Sequence, residues 1–198
     1  MKNTTWKKEP CLPGCGSEEK PEKETGVRRD RTFRKARADE ADTVFALYQA
    51  VIGMPFCVWN DEYPGRTEIR HDLETGNLFV LEQEKKIIGA ISLVPENELD
   101  DLDCWSSDRS VAEFARVVLL PEEQGNHLAQ LLVSGILEEM RSRGYENVHI
   151  SVAKENLPAQ KTYRRMGFDF VGEEEMWGHR FFLCEKKLTD PGKSLIRI

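Results

Sequence analysis

The chain has 198 residues, of which 39% are hydrophobic, and its formal net charge is −7. This length and apolar content are sufficient for one sizeable core, and the acidic balance argues against a dedicated nucleic-acid-binding protein. The sequence contains no apolar run long enough to span a membrane and does not open on a hydrophobic leader. We therefore expect a cytoplasmic protein that binds neither nucleic acid nor a membrane.

Residues 1–31 are rich in Lys, Glu, Pro and Gly and poor in aliphatic side chains. Such a segment cannot bury enough apolar surface to offset the entropy of ordering, so we predict a disordered tail. Cys11 and Cys15 lie in this tail, and no second Cys/His pair at ligand spacing follows them. Free thiols are therefore favoured over half of a zinc site, and no metal is expected. Residues 189–198 are predicted to be a C-terminal extension.

A folded domain is predicted over residues 32–188 from its apolar periodicities. Alternating apolar residues indicate strands, and apolar residues repeated every three to four positions indicate helices. Asp39 is expected to cap the first helix and Gly76 to close the second. In chain order we predict strand 32–37, helix 39–51, helix 67–74, strands 78–82 and 87–94, an acidic loop 95–110, strand 111–120, helix 127–143, strand 148–153, helix 159–166, and strands 168–173 and 179–188. Antiparallel strands followed by a β-α-β crossover predict a mixed α/β sheet of six to seven strands, flanked on both faces by about four helices.

The segment Pro121–Leu132 joins a predicted strand to a predicted helix through a short polar loop. A helix start exposes N–H groups that have no internal partner, and the helix dipole adds positive charge, so such a loop suits phosphate groups. It has neither the G-x-G-x-x-G pattern of dinucleotide sites nor the Gly-Lys-Ser/Thr of a Walker loop. It resembles the pyrophosphate loop of the GNAT acetyltransferase superfamily, Gln/Arg-x-x-Gly-x-Gly/Ala. Gln124 and Ala129 fit that pattern, whereas His127 stands where the family usually has glycine.

A second segment, Asn156–Phe168, matches the family pattern Asn-x-x-Ala-x-x-x-Tyr-x-x-x-Gly-Phe. Asn156 is a good helix N-cap, and Gly167 suits the left-handed position that follows a helix. The two motifs occur in the family's order with a predicted strand between them. The chain is therefore identified as similar to the GNAT acetyltransferases over roughly Phe33 to Leu188.

The resemblance implies acetyl-CoA as co-substrate. Residues matching Val117, Val118 and Leu119 pair their backbone with the pantetheine arm in the family, although the side chains of these residues also suit an ordinary core strand. Asn156 matches a residue that contacts the same arm, and N-capping is its alternative role. The backbone N–H groups expected to hold the pyrophosphate belong to Gln124, Gly125, Asn126, His127, Leu128, Ala129 and Gln130. We expect His127 to adopt a helical conformation, with its side chain turned toward solvent or a cofactor phosphate.

Two residues are predicted to move protons. Tyr163 matches the family tyrosine near the cofactor sulfur and is the expected general acid, with simple packing as the alternative. Glu113 is the expected general base, because many relatives carry a glutamate near the start of this strand. Its alternative is a solvated glutamate at a strand edge. Some peptide N-terminal acetyltransferases carry a carboxylate at the position of Ser151, and its absence argues against that mechanism.

Acceptor recognition is predicted for aromatic side chains that lie near carboxylates. Trp59 and Tyr63 belong to the loop 54–64, and Trp177 follows the acidic residues 173–175 between the last two strands. Aromatic rings beside carboxylates suit an ammonium group. The alternative is a solvated acidic turn with aromatic side chains that anchor loops.

The sequence thus predicts an N-acetyltransferase that transfers an acetyl group to a primary amine of a small molecule or peptide by direct attack. The cysteines lack a His and an acid at any recognisable motif, which disfavours a covalent thiol intermediate. A non-catalytic acyl-CoA sensor or interaction module on the same fold is the alternative. A homodimer is left open.

Overall fold

The computed structural model describes residues 30–95, 98–107 and 109–188. These residues form seven strands, β1 to β7, and four α-helices, α1 to α4. In chain order the elements are β1 (Arg31–Lys35), α1 (Ala41–Val51), α2 (Arg66–Glu74), β2 (Leu78–Gln83), β3 (Lys86–Val94), β4 (Val111–Leu119), α3 (Leu128–Ser142), β5 (Asn147–Ala153), α4 (Leu157–Arg165), β6 (Asp169–Met176) and β7 (His179–Lys187). The predicted tail up to residue 29, with Cys11 and Cys15, and the predicted extension 189–198 lie outside the described residues. Arg31, assigned to the tail, pairs with Gln83 in the sheet.

The strands form one mixed sheet in the order β1-β2-β3-β4-β5-β7-β6. The first four strands are antiparallel to one another, β4 is parallel to β5, and β5, β7 and β6 are again antiparallel. Helix α3 makes the crossover between the parallel pair, as such a connection requires. The predicted fold class, a mixed α/β sheet of six to seven strands with about four helices, is confirmed.

The core consists of two clusters of buried side chains. Strand β2 shows how they are divided, because Phe79 and Leu81 belong to one cluster and Leu78 and Val80 to the other. Successive strand residues point to opposite faces, so the clusters lie on the two faces of the sheet. Helices α3 and α4 cover the first cluster, and α1 and α2 cover the second. None of the helices among the described residues is long and apolar enough to cross a membrane.

Local signals predicted several helix ends and missed others. Asn156 caps α4 as predicted, because its side chain accepts a hydrogen bond of 3.1 Å from the Ala159 N–H. Gly76 and Gly167 have the positive φ angles expected after a helix, +66° and +75°. The predicted cap at Asp39 is wrong. A 3-10 turn, Ala38–Glu40, precedes α1. The Glu40 carboxylate accepts a hydrogen bond from the backbone N–H of Arg37, the residue that caps this turn.

Two predicted loop features also differ in the structure. The segment assigned to an acidic loop, 95–110, contains a 3-10 turn at Glu98–Asp101, and Trp105 stacks on His149 of β5 with ring centroids 4.0 Å apart. The acidic residues 173–175 lie within β6 rather than in a turn, because β6 extends to Met176. Ring stacking on β5 holds the first segment, and backbone pairing with β7 orders the second; local sequence shows neither contact.

Candidate active site

The strands β4 and β5 separate along most of their length. They are joined at Val111–Asn147 and Ala112–Val148, and among the described residues these are the pairs that hold β4 to β5. Beyond them β4 continues to Leu119 paired with β3, while β5 continues to Ala153 paired with β7. The second half of β4 therefore presents an open backbone edge toward β5. An open edge of this kind can accept an extended polar chain as an additional strand.

A β-bulge lies in the middle of this open half of β4. Ala90 faces Val118 and Ser92 faces Ala115, so two β4 residues stand opposite one β3 residue. Arg116, inside the bulge, has a φ of +55°, which is unusual for a residue other than glycine. Bulges bend a strand and locally interrupt its pairing. This bulge therefore sets the direction of the backbone from Val117 to Leu119.

Strand β3 approaches the bulged strand closely at Gly89. A Cβ atom at this position would lie 2.7 Å from Cδ2 of Leu119 and 2.8 Å from the carbonyl oxygen of Val118. The carbonyl oxygen belongs to the backbone, so a Cβ atom here would force β4 to move. The glycine is thus required by the path of β4 past β3.

The polar loop after β4 leads directly into α3. The Gln124 side chain donates to the Leu119 carbonyl at 3.2 Å, which ties the loop to the end of β4. Gly125 has a φ of +84°. The Gln130 N–H donates to the His127 carbonyl, so the N–H groups from Gly125 to Ala129 precede the internal hydrogen bonds of the helix. They lie at the positive end of a 15-residue helix.

His127 differs from the predicted helical conformation. It is the N-cap residue of α3 with φ +59° and ψ +14°, which is left-handed, and its side chain makes no capping hydrogen bond. The imidazole is exposed. The loop must reverse direction before Leu128 is buried in the core, and a left-handed residue makes that reversal.

Tyr163 lies on α4 and is buried, with 6% of its surface exposed. Its ring packs edge-on against Phe114 of β4, with centroids 5.6 Å apart. Burial, followed by the neighbouring Cys184 and Glu113, raises the pKa of the Tyr163 phenol above its ordinary value. The phenol is protonated at neutral pH, as that of an ordinary tyrosine also is, and it can donate a hydrogen bond.

Glu113 is half-buried on β4 and faces Val94 in the β3 register. Its charge is near enough to raise the pKa of Tyr163. Phe114, which the Tyr163 ring contacts, is the next residue along β4, so the Glu113 side chain points to the opposite face of the sheet. The structure therefore places the two predicted proton-transfer residues on neighbouring elements but on different faces of the sheet.

The three aromatic residues predicted to bind the acceptor have different environments. Trp59 packs against the core cluster beneath α1 and α2, and its ring lies edge-on to Tyr48 with centroids 5.5 Å apart. This packing matches the alternative role, in which the aromatic side chain anchors its loop. Tyr63 is 43% exposed and its hydroxyl accepts a hydrogen bond from Arg116. Trp177 is 72% exposed in the β6–β7 turn, where it touches Phe181 edge-on.

The sequence interpretation missed a buried charged cluster beside the β4 bulge. Arg116 donates through Nε and Nη2 to both carboxylate oxygens of Asp72, at 3.1 and 3.0 Å. Ser92 donates to the same carboxylate at 2.6 Å, and Arg116 Nη1 donates to the Tyr63 hydroxyl at 3.3 Å. We call these four residues the Arg116 cluster. An arginine inside the apolar run 114–120 was the signal in the sequence, since such a charge must find a partner.

The cysteines among the described residues are poorly suited to act as nucleophiles. Burial raises the pKa values of Cys57 and Cys104, and it raises the pKa of Cys184 to about 12. A thiol must ionise to attack, so these thiols are held in their unreactive form. Residues 30–95, 98–107 and 109–188 also contain no group of three or more His, Cys, Asp or Glu side chains placed to hold a metal ion.

A bulged strand with an open edge is followed here by a helix whose first amides precede its internal hydrogen bonds. The profile of the acetyltransferase (GNAT) family matches residues 29–168. The chain belongs to this family.

Solved structures share the fold at low sequence identity. A GNAT-family acetyltransferase from Streptococcus agalactiae superposes with a TM-score of 0.68 at 20% identity, over 79% of this chain and 95% of that one. A putative acetyltransferase from Salmonella typhimurium, solved with its cofactor acetyl-CoA, has a TM-score of 0.65 at 17% identity, over 81% of this chain and 95% of that one.

Curated relatives match a shorter stretch. A mycothiol acetyltransferase from Saccharomonospora viridis is 38% identical over 63 residues, which are 32% of this chain and 21% of that protein. The mycothiol acetyltransferase of Actinosynnema mirum is 36% identical over 61 residues, 31% of this chain and 20% of that protein. The chain thus spans about a fifth of the length of these relatives.

Proposed function

We propose that the protein is an acetyl-CoA-dependent N-acetyltransferase that acetylates a primary amine of a small molecule or peptide by direct attack. The observation that carries this proposal is the adjacency of two backbone features. The open edge of β4 ends at Leu119, and the amides that precede α3 begin only a few residues later. An acyl-CoA has the matching chemistry, with amide groups along its pantetheine arm and a pyrophosphate beyond them.

The residues that would hold acetyl-CoA act mainly through their backbone. Val117, Val118 and Leu119 would pair with the pantetheine amides along the open edge. The N–H groups of the loop from Gln124 to Gln130 would surround the pyrophosphate. Asn156 uses one side-chain oxygen to cap α4, and its amide NH₂ is the group that would contact the pantetheine arm.

Bound acetyl-CoA would supply the thioester that the amine attacks. Glu113 would take a proton from the incoming ammonium group, directly or through water, so that the amine can attack. Backbone N–H groups of the bulged strand are the donors available for the oxyanion. Tyr163, whose phenol is protonated at neutral pH, would donate a hydrogen bond and then its proton to the departing thiolate. The raised pKa values of the described cysteines support direct transfer over a thiol intermediate.

The acceptor would enter from the side of Tyr63, with Trp177 as a second exposed aromatic contact. Trp59 is assigned to anchoring the acceptor loop because its ring is packed against Tyr48. Carboxylates near these rings, among them Glu174 and Glu175 on β6, favour a positively charged acceptor.

A turnover screen tests the proposal. The purified chain is incubated with acetyl-CoA and panels of small amines, polyamines, amino acids, aminoglycosides and peptides, and both the released thiol and the acetylated product are measured. We expect thiol release to depend on an amine and to match the acetylated product in amount. Tyr163→Phe should lose most of this rate, while Tyr145→Phe, which removes a phenol hydroxyl in the turn after α3, should retain it.

The screen also separates the alternative. Micromolar binding of acetyl-CoA, about −8 kcal/mol, without transfer to any amine in these panels would favour the non-catalytic sensor. A chain that binds no acetyl-CoA would contradict both functions.

A further inference from the structure

The Arg116 cluster connects the two halves of the candidate site. Asp72 comes from α2, Ser92 from β3, Arg116 from the β4 bulge, and Tyr63 from the loop predicted to meet the acceptor. One guanidinium group is therefore bound to a helix on one side and to the acceptor loop on the other. It belongs to the strand whose open edge would hold the cofactor arm.

The cluster is built for fixed geometry. The side chains of Arg116 and Asp72 are 11% and 3% exposed, and two parallel N–H···O bonds join them. A bidentate pair of this kind defines both distance and direction, which a lysine cannot reproduce. Ser92 holds the carboxylate from the opposite strand at 2.6 Å. Few orientations of the guanidinium satisfy all of these bonds together.

This anchored side chain holds an unfavourable backbone. Arg116 has a φ of +55° within the bulge, and residues other than glycine keep such angles only where their surroundings fix them. The bidentate contact with Asp72 is the surrounding interaction that fixes it here. The same bulge directs the backbone of Val117 to Leu119.

We propose that Arg116 is a positioning residue that couples the cofactor edge of β4 to the acceptor loop. Held by Asp72, it maintains the bulge that presents the 117–119 edge, and through Nη1 it holds Tyr63 beside that edge. Its role rests on the proposed function, because the edge it maintains is the one assigned to the pantetheine arm. Arg116 would touch neither substrate.

Calorimetric titration with acetyl-CoA and hydrogen exchange of the ligand-free protein test this role together. Arg116→Lys keeps the charge but loses the bidentate bond. We expect it to bind acetyl-CoA five- to twenty-fold more weakly at a temperature where it is fully folded, with faster exchange at 117–119 and in the loop 54–63. Asp72→Asn should shift both readouts in the same direction. Tyr63→Phe removes only the bond to Nη1, so loop exchange should rise while acetyl-CoA affinity stays within about twofold of the wild type.

Arg143→Lys is the matched control. The Arg143 side chain is likewise held by several hydrogen bonds, to Asn77, Gly76 and Glu139, at the far end of α3. Its replacement should leave acetyl-CoA affinity and exchange at 117–119 unchanged, whatever it does to the melting temperature.

The outcomes separate the inference from the proposed function. If the wild type binds no acetyl-CoA, the proposed function fails, and the exchange data still decide whether Arg116 maintains the bulge. If the wild type binds and a folded Arg116→Lys binds equally well, the positioning role is overturned. If Arg116→Lys does not fold, unchanged loop exchange in Tyr63→Phe overturns the coupling, and faster exchange there supports it.

Discussion

Replacing His127 by glycine should stabilise the protein. The residue has φ +59° and ψ +14°, its side chain makes no capping hydrogen bond, and the imidazole is exposed. The left-handed conformation costs a residue with a Cβ atom about 1–2 kcal/mol. Glycine removes that cost but adds about 0.5–1 kcal/mol of unfolded-state entropy. The expected net gain is therefore about 0.5–1 kcal/mol, which corresponds to a rise in melting temperature of about 1–4 °C for a chain of this size.

Scanning calorimetry of His127→Gly and His127→Ala measures this gain. The alanine variant is the control, because it removes the imidazole and keeps the strained backbone, so its melting temperature should stay near that of the wild type. Calorimetric titration with acetyl-CoA then asks what the side chain does. Wild-type affinity in both variants is expected if the imidazole is only tolerated at this position. A glycine variant no more stable than the alanine variant would refute the reasoning from backbone strain.

Four further predictions concern the proton-transfer residues, the close approach at Gly89 and the Glu40 carboxylate. Tyr163→Phe should lower turnover about 10²–10⁴-fold with nearly unchanged acetyl-CoA affinity, and Glu113→Gln should remove the acidic limb of the pH profile of kcat/KM. A rate for Glu113→Gln that high pH does not partly rescue would argue against a base at this position. Gly89→Ala should destabilise the fold by about 1–3 kcal/mol in urea titrations, because the added Cβ atom would lie 2.8 Å from a backbone carbonyl of β4. The same change should weaken acetyl-CoA binding. An unchanged free energy of unfolding and an unchanged affinity would show that β4 moves freely. Hydrogen bonds from Arg34 hold the pKa of the Glu40 carboxyl below its ordinary value. The ionised carboxylate therefore stabilises the folded state at any pH above its ordinary pKa. This contribution is lost as the pH falls through the lowered pKa of the folded state. Glu40→Gln should therefore melt below the wild type at neutral pH and approach it in acid, and a constant difference would contradict the assignment.

Features with local causes could be predicted from the sequence. The cap at Asn156 and the left-handed Gly167 depend on a few neighbouring residues, and the structure has both. The cap at Asp39 failed because Arg34, from the preceding strand, binds the Glu40 carboxylate and shifts the start of the helix. Tertiary contacts override local preference in such cases.

The site was predicted less completely, because its key features depend on cross-strand pairing. The separation of β4 from β5 and the bulge at Arg116 exist only once two strands have a register. The Asp72–Arg116 pair joins residues 44 positions apart, and neither belongs to a motif. Trp59 shows the same limit, since an aromatic side chain in a loop can face solvent or the core with equal plausibility in the sequence.

Hydrogen exchange of the wild-type chain with and without millimolar acetyl-CoA tests the central claim most directly, because it locates the cofactor without requiring the acceptor to be known. The account predicts slower exchange in two segments, the β4 edge at 117–119 and the loop 124–130, with little change at the far end of α3. Binding that leaves both segments unchanged, or protection confined to another part of the sheet, would contradict the assignment of this site.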